Sequence, residues 1–382
     1  MAKSFLLEVV VAKSFLLAGG GTAGHVNPLL ATAAELTKRG HKVTVLGTAE
    51  GLEQDLVPRA GFPLLEVPRV PMPRRPSAGM LRFPGRWRAA VAAAKNAILS
   101  TQADAVVGFG GYVSTPAYVA ARSLNVPIVV HEGNVRPGMA NKLGARFTDR
   151  VAVTFADTPL RGATETGLPL RPEITALART LADPATRDRA RDAARASLGW
   201  PADAAVLLVT GGSQGAASVN AVVVDAVPTL LDHGIYVLHA TGRGKDDEAL
   251  RAHGDLPAKV RDRYSVHEYL HDMATALAAA DAVVCRSGAG TVAETTAMGI
   301  PALYVPLPHG NGEQALNAAG AVAAGAAQLI DDSDLTPQML VLAIEHMILD
   351  DGVAQSMRAA AQTVGIADGA SRLADMIEEA AA

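Results

Sequence analysis

The chain starts the same local pattern twice. An apolar run from Phe15 to Leu17 leads into Gly19-Gly20-Gly21-Thr22-Ala23-Gly24 and then a helical stretch from Pro28 to Arg39. A second run, Ala204 to Val209, leads into Gly211-Gly212-Ser213-Gln214-Gly215 and a helical stretch from Ala217 to about Leu231. Gly20 and Gly211 lie 191 residues apart in a chain of 382. Short apolar runs follow each opening: Lys42 to Leu46, Ala105 to Val107, Pro127 to Val130 and Val151 to Val153, then Ile235 to His239, Ala282 to Cys285 and Ala302 to Val305. Strands alternating with helices build parallel sheets through right-handed crossovers. The predicted class is therefore α/β, with two Rossmann-like domains in tandem. Cores of roughly 150–200 residues each match the size at which chains divide into domains. Leu168 to Asp203, rich in Pro, Arg and Asp, reads as the linker and the entry helix of the second domain.

Hydrophobic residues make up 49% of the chain and charged ones 19%, and 34 basic against 38 acidic residues leave a net charge of −4. That balance excludes a disordered chain and a globally basic nucleic-acid binder. The one cysteine, Cys285, can build neither a disulfide framework nor a cysteine-based zinc site, which fits a reducing, cytoplasmic compartment. No run of 18 apolar residues free of charge occurs, so no membrane span is expected. The hexamer AKSFLL occurs at Ala2 to Leu7 and again at Ala12 to Leu17. Glu8 breaks the apolar run between the copies, which argues against a signal peptide; the second copy reads as the first strand, and the first is assigned no function.

The mild net charge conceals an uneven distribution. Between Glu66 and Asp104 there is no acidic residue, while Arg69, Arg74, Arg75, Arg82, Arg86, Arg88 and Lys95 are interleaved with Met72, Met80, Leu81, Phe83 and Trp87. Such a stretch can lie on an anionic membrane, each cation contributing about 1 kcal/mol. It can also be a solvated Arg-rich loop with a few apolar residues packed on its domain.

Glycines after a strand let the backbone approach a phosphate, and the N–H groups that open the next helix attract negative charge. The first loop is not G-x-G-x-x-G with an acidic residue about 20 positions on, and no G-x-x-x-x-G-K-[ST] occurs, so nicotinamide and P-loop readings lose support. His25 directly follows the first loop. A neutral imidazole at a helix start suits a general base near pH 7, and the same residue could be a cap with no chemistry. Asn134, after His131-Glu132-Gly133, and Ser213 with Gln214 fall at the carboxyl ends of strands, where parallel sheets collect ligand-facing polar groups. Arg286 to Thr291 forms a third such loop and opens a helix carrying Glu294. That carboxylate could accept from two neighbouring sugar hydroxyls or could stabilise its own helix from the first turn. Gln314 and Asn317 share a helix face, and Cys285 reads as inert core. Asp332-Ser333-Asp334 has the spacing of a chelating pair, but it precedes Leu335-Thr336-Pro337, where helix capping is the simpler account. No metal site is expected, and the charge of a bound diphosphate is expected to meet helix N-termini and an Arg.

GGGTAGHVNPLLATAAEL, GFGGYVSTP, HEGNVRPGMANKL, GGSQGAASVN, CRSGAGTVAE and PLPHGNGEQALNA, in this order and spacing, closely resemble the MurG family of bacterial transferases, glycosyltransferase family 28. The resemblance runs from about Ser14 to the last helix. It implies a GT-B fold, two Rossmann-like domains whose parallel sheets face an interdomain cleft. The implied activity is inverting transfer of N-acetylglucosamine from UDP-N-acetylglucosamine to the 4-hydroxyl of the muramoyl sugar of lipid I, undecaprenyl-diphospho-muramoylpentapeptide. The product is lipid II, used in peptidoglycan synthesis. The implied divisions are an extra N-terminal segment at 1–11, an acceptor and membrane-binding domain at 12–170, a donor-binding domain at 171–351, and a C-terminal helix at 352–382 crossing back to the first domain.

The resemblance also assigns roles. His25 is the implied base; Thr22, Ala23 and Gly24 line the donor-sugar side of the first loop, with Asn134 on the sugar. Arg171 and Ser213 meet the diphosphate, and the backbone of Leu270 lies by the uracil. Ala289, Gly290, Thr291, Val292, Ala293 and Glu294 wrap the diphosphate and ribose, and Gln314 holds the sugar hydroxyls. No cofactor is required. Arg82, Phe83, Arg86, Trp87 and Arg88 are expected to contact an anionic membrane from the cytoplasmic face, without a span. No nucleic-acid partner is expected, and other cell-wall synthesis proteins are candidate partners. The sequence departs from the family pattern at Ala23, where T-G-G-H is usual, at Leu168 in place of the Asn of G-N-P-x-R, and at Glu313, where a His often precedes Gln314. A related sugar-nucleotide enzyme, either a transferase with a lipid or natural-product acceptor or a UDP-N-acetylglucosamine 2-epimerase, is the alternative; an epimerase has no use for the basic segment.

Overall fold

The computed structural model describes residues 11–70, 79–212, 215–309 and 311–382, with the side chains of 79–82 outside that description. The chain divides into two compact units. One runs to Arg171 and takes in Asp368–Ala382; the other is Pro172–Ala367.

The strands of the first unit are β1 (Ser14–Ala18), β2 (Lys42–Gly47), β3 (Leu64–Glu66), β4 (Ala105–Gly108), β5 (Ile128–Glu132), β6 (Val151–Val153) and β7 (Ala163–Glu165). All pair in parallel, in the order β3-β2-β1-β4-β5-β6-β7. Its helices up to Arg171 are α1 (Ala23–Lys38), α2 (Glu53–Arg59), α3 (Gly79–Thr101), α4 (Gly111–Ser123) and α5 (Met139–Gly144). β1 reads as a continuous apolar run because both faces of the sheet are covered. Phe15 and Leu17 enter one core cluster with Leu29 and Leu36 of α1, and Leu16 and Ala18 enter the opposite one with Ala90 and Ala94 of α3. The strand order reverses direction between β1 and β4, which makes the carboxyl ends of those two strands the place where an open α/β sheet leaves a crevice.

The second unit repeats the plan with β8 (Ala205–Thr210), β9 (Ile235–Ala240), β10 (Tyr264–His267), β11 (Ala282–Cys285), β12 (Ala302–Tyr304) and β13 (Ala327–Leu329), parallel in the order β10-β9-β8-β11-β12-β13. Its helices are α6 (Pro172–Ala182), α7 (Pro184–Ser197), α8 (Ala217–Asp232), α9 (Asp247–Asp255), α10 (Ala258–Arg261), α11 (Met273–Ala279), α12 (Ala289–Met298), α13 (Glu313–Ala323), α14 (Pro337–Ile348) and α15 (Asp351–Val364). The reversal falls between β8 and β11. The tandem reading is thus borne out, with added outer strands of three or four residues, β3, β7, β10 and β13, too short to carry a period.

Two expectations fail. The first helix begins at Ala23, not Pro28, because the N–H groups of His25 and Val26 both bond to the Thr22 carbonyl and close a turn inside the glycine loop; Pro28 then sits within the helix and removes one N–H donor from it. The chain from 352 onward is not one helix. α15 ends where Gly365 turns to extended backbone, and a separate helix, α16 (Gly369–Ala380), follows. The cause is two buried stripes serving two cores: Met357 of α15 joins the cluster of the second unit, while Leu373, Ala374 and Ile377 of α16 join that of the first. Among the described residues, no helix is long and apolar enough to cross a membrane.

Candidate active site

In the first unit, the loops after β1, β4 and β5 meet at the sheet's carboxyl edge. His25 lies in the first turn of α1, and its Nδ1 is 3.0 Å from the Gly20 carbonyl and 3.2 Å from the Thr22 hydroxyl. A carbonyl oxygen only accepts, so Nδ1 carries a hydrogen, and in the neutral ring the lone pair is on Nε2. Nε2 faces the turn after β4: a Cβ built on Gly110 would stand 3.0 Å from it, and one on Gly111 would stand 2.7 Å from the Gly20 carbonyl. Both glycines have positive φ, +96° and +79°, so neither space nor backbone accepts a side chain here. The buried Ser114 hydroxyl accepts from the Gly110 N–H at 2.9 Å and lies 2.9 Å from the Ala18 carbonyl, tying the β4 turn to the end of β1.

Two buried carboxylates shape this edge. Glu53 is fully buried and accepts from the Gly21 N–H, the Thr48 N–H and the Thr48 hydroxyl at 2.7–2.9 Å. Burial pushes its pKa up, but these bonds outweigh burial and hold the carboxyl below its ordinary range. Glu132, at the end of β5, accepts from the N–H groups of Asn134 and Gly138 and from the Asn141 amide at 2.9–3.1 Å, which fixes the backbone of Asn134. Beside it, burial pushes the His131 pKa down to about 4, a Gly167 backbone bond opposes this, and nearby His25 adds to it; His131 is therefore neutral.

In the second unit, Ser213 and Gln214 lie outside the described residues, as does Gly310. α12 opens at Gly288, so the N–H groups of its first turn belong to Ala289, Gly290 and Thr291. Val292 and Ala293 are buried, and their side chains serve the core. Glu294 is partly exposed in the second turn rather than the first, which removes the helix-stabilising account of it. The Gln314 carbonyl accepts from the Leu307 N–H at 3.0 Å, leaving its amide hydrogens to point elsewhere, and Asn317 on the same helix is buried. Leu270 is partly buried after β10, next to exposed Tyr269. Arg171 is partly exposed, the last residue of the first unit. Cys285 is buried, and burial raises its thiol pKa, in keeping with inert core.

Asp332 is not a cap. Thr336 caps α14, while Asp332 pairs with Arg286, whose guanidinium also donates to the carbonyls of Val305 and Pro306 and to the Ser218 hydroxyl. One partly buried ion pair thus fastens the ends of β11 and β12 to the start of α8. Behind it, His239 lies 2.9 Å from the Tyr264 hydroxyl and 3.1 Å from the Asn220 amide oxygen, and Asn220 donates to the Thr241 carbonyl.

Residues 15–153 match the family model "Glycosyltransferase family 28 N-terminal domain" and residues 206–373 match "Glycosyltransferase family 28 C-terminal domain". A UDP-N-acetylglucosamine–N-acetylmuramyl-(pentapeptide) pyrophosphoryl-undecaprenol N-acetylglucosamine transferase of Paenarthrobacter aurescens is 46% identical over 96% of this chain and 96% of its own. The chain belongs to the MurG family of glycosyltransferases. A transferase of the same name from Frankia casuarinae is 48% identical, covering 97% of this chain and 96% of its own. The crystal structure of Acinetobacter baumannii MurG superposes with a TM-score of 0.77 at 26% identity, covering 96% of this chain and 99% of that one.

The departures from the MurG pattern have local explanations. Ala23 is already helical and needs no glycine freedom. Leu168 is buried core, and Glu313 opens α13, where its carboxylate takes a hydrogen bond from Asn311 at 3.1 Å. Of the basic segment, 71–78 and the side chain of Arg82 lie outside the described residues. Phe83 and Trp87 stack with ring centres 6.2 Å apart and pack partly on the core of the first unit, while Arg86 and Arg88 are exposed. Glu53, Asn141, the Arg286–Asp332 pair and the His239 chain had no assigned role in the sequence reading. Glu132 and Asn141 did stand inside the quoted family motif.

Proposed function

We propose that this enzyme transfers N-acetylglucosamine from UDP-N-acetylglucosamine to the 4-hydroxyl of the muramoyl sugar of lipid I, giving lipid II with a β(1→4) bond. The observation that carries this is near-full-length identity of 46–48% to transferases that bear that activity in their names. In the proposed step the free Nε2 of His25 takes the proton of the acceptor hydroxyl as its oxygen attacks the sugar's C1. The bond from C1 to the UDP oxygen breaks with inversion, and UDP leaves. The charge gathering on the leaving diphosphate is met by the N–H groups opening α12 and by Arg171, so removal of divalent metal with EDTA should leave turnover unchanged. Glu294 would take the ribose hydroxyls and the Gln314 amide the donor sugar, with Thr22 to Gly24 and Asn134 on the sugar side.

The same reading puts the enzyme on the cytoplasmic face of the membrane, held peripherally through the exposed Arg86 and Arg88 of α3. Phe83 and Trp87 support the helix from beneath. The test is incubation of the purified protein with labelled UDP-N-acetylglucosamine and a short-chain lipid I analogue. Labelled lipid II is the expected product, and donor binding without transfer would sink the proposal.

A further inference from the structure

A groove of about 520 Å³ lies in the second unit between α7 and α15, lined in part by Ala182, Ile348 and Asp351. Asp281, in its lining, directly precedes β11, so the groove lies at the amino edge of the sheet, opposite the loops assigned to the donor. Arg187 and Arg191 of α7 and Arg358 of α15 converge on it. The acidic residues around them are shared, outside the groove or exposed. Asp281 is shared between Arg191 and the buried Arg195, Asp188 stands 3.5 Å from the Nε of Arg187 outside the groove, and Asp351 is exposed at the start of α15.

Donors are left over. The Nε of Arg191 is buried without a hydrogen-bond partner. Arg358 packs its methylene stem near Gly299 and makes no hydrogen bond or ion pair with any described residue. Burial lowers its pKa, and the neighbouring Arg187 and Arg191 lower it further, against Asp281 and Asp188, which raise it. Gln355 and Gln362 add amide donors on the same face of α15, and Ala354 and Ala359 keep that face open. Gathering part-desolvated, like-charged guanidinium groups costs free energy unless an anion compensates. Guanidinium forks match the oxygens of a phosphate, and the volume is that of a small-molecule site.

We infer that the groove between α7 and α15 is a second ligand site, one that binds a small phosphorylated anion. It does not depend on the transferase reading, because no residue of the proposed donor site lines it. The test is calorimetric titration of the full chain with inorganic pyrophosphate in saturating UDP, at low and high salt. Saturable, salt-sensitive binding is expected in the wild type. Arg187→Gln and Arg358→Gln should each weaken it about tenfold or more. Gln355→Glu, an exposed change, should weaken it too and keeps the test open should an arginine variant fail to fold. Absence of binding, its abolition by UDP, or equal binding in all three variants would overturn the inference.

Discussion

At the scale of single residues, the proposed chemistry rests on which nitrogen of His25 carries hydrogen. The Gly20 carbonyl settles this, so His25→Gln should retain the Nδ1 contact region yet lose the base. Turnover should then fall by about 10²–10⁴ with UDP binding unchanged. Equal loss of donor affinity, read by calorimetry, would make His25 a ligand contact instead. Glu53 acts one step back: Gly20, Gly47 and Gly51 crowd it so closely that a Cβ on any of them would stand within 2.6 Å of the carboxylate side chain. Glu53→Gln offers two amide hydrogens to a site that has only donors facing it, and should cost about 1–3 kcal/mol in a urea titration. The position of His25 at the sheet's carboxyl edge was legible in the sequence because it adjoins a glycine loop. Glu53 was not, since its partners are backbone N–H groups 5 and 32 residues away, a relation that exists only once β1 and β2 are paired. Glu294 was misread in its bland form for a simpler reason, a helix start placed by residue type rather than by hydrogen bond.

At the scale of elements, α3 and α16 make separable predictions. Arg86→Glu with Arg88→Glu reverses exposed charge without touching the core, so binding to anionic vesicles should drop while thermal stability stays level; undiminished sedimentation with vesicles would refute the membrane role. Leu373 and Ile377 of α16 are fully buried against Phe15, Leu29 and Leu36. Ile377→Ala should cost about 2–5 kcal/mol, measured by urea unfolding, and a loss under 1 kcal/mol would mean the helix is only loosely applied. Polar contacts reinforce the seat, with Arg39 reaching Asp375 at 2.6 Å and Glu378 at 2.9 Å, and His41 reaching Glu378 at 2.8 Å. The central strands were visible from composition because burial on both faces makes them uniformly apolar. The break at Gly365 was not, because α15 and α16 each carry a regular apolar stripe, and only the identity of the core each stripe meets separates them.

At the scale of the whole molecule, each unit buries one neutral histidine whose pKa burial lowers to about 4, His131 in the first and His239 in the second. Above about pH 6.5 the folded and unfolded chains are both neutral at these sites and nothing changes. As pH falls from there toward 4, the unfolded chain takes up protons that the folded one refuses. Stability then declines by about 3 kcal/mol per histidine at full extent. His239→Gln should flatten the pH dependence of unfolding over that interval, and an unaltered slope would contradict the assignment. The two units also differ in how the chain is dealt out to them. Pro172–Ala367 is continuous, whereas the other unit waits for Asp368–Ala382. During synthesis the second unit can therefore close its core as soon as its own residues emerge. The unit that began first is finished last: the cluster of Phe15 and Leu17 stays uncovered on its α16 side until that helix has been made, so a chain stalled near residue 367 would hold a completed second unit and an open apolar sheet face in the first.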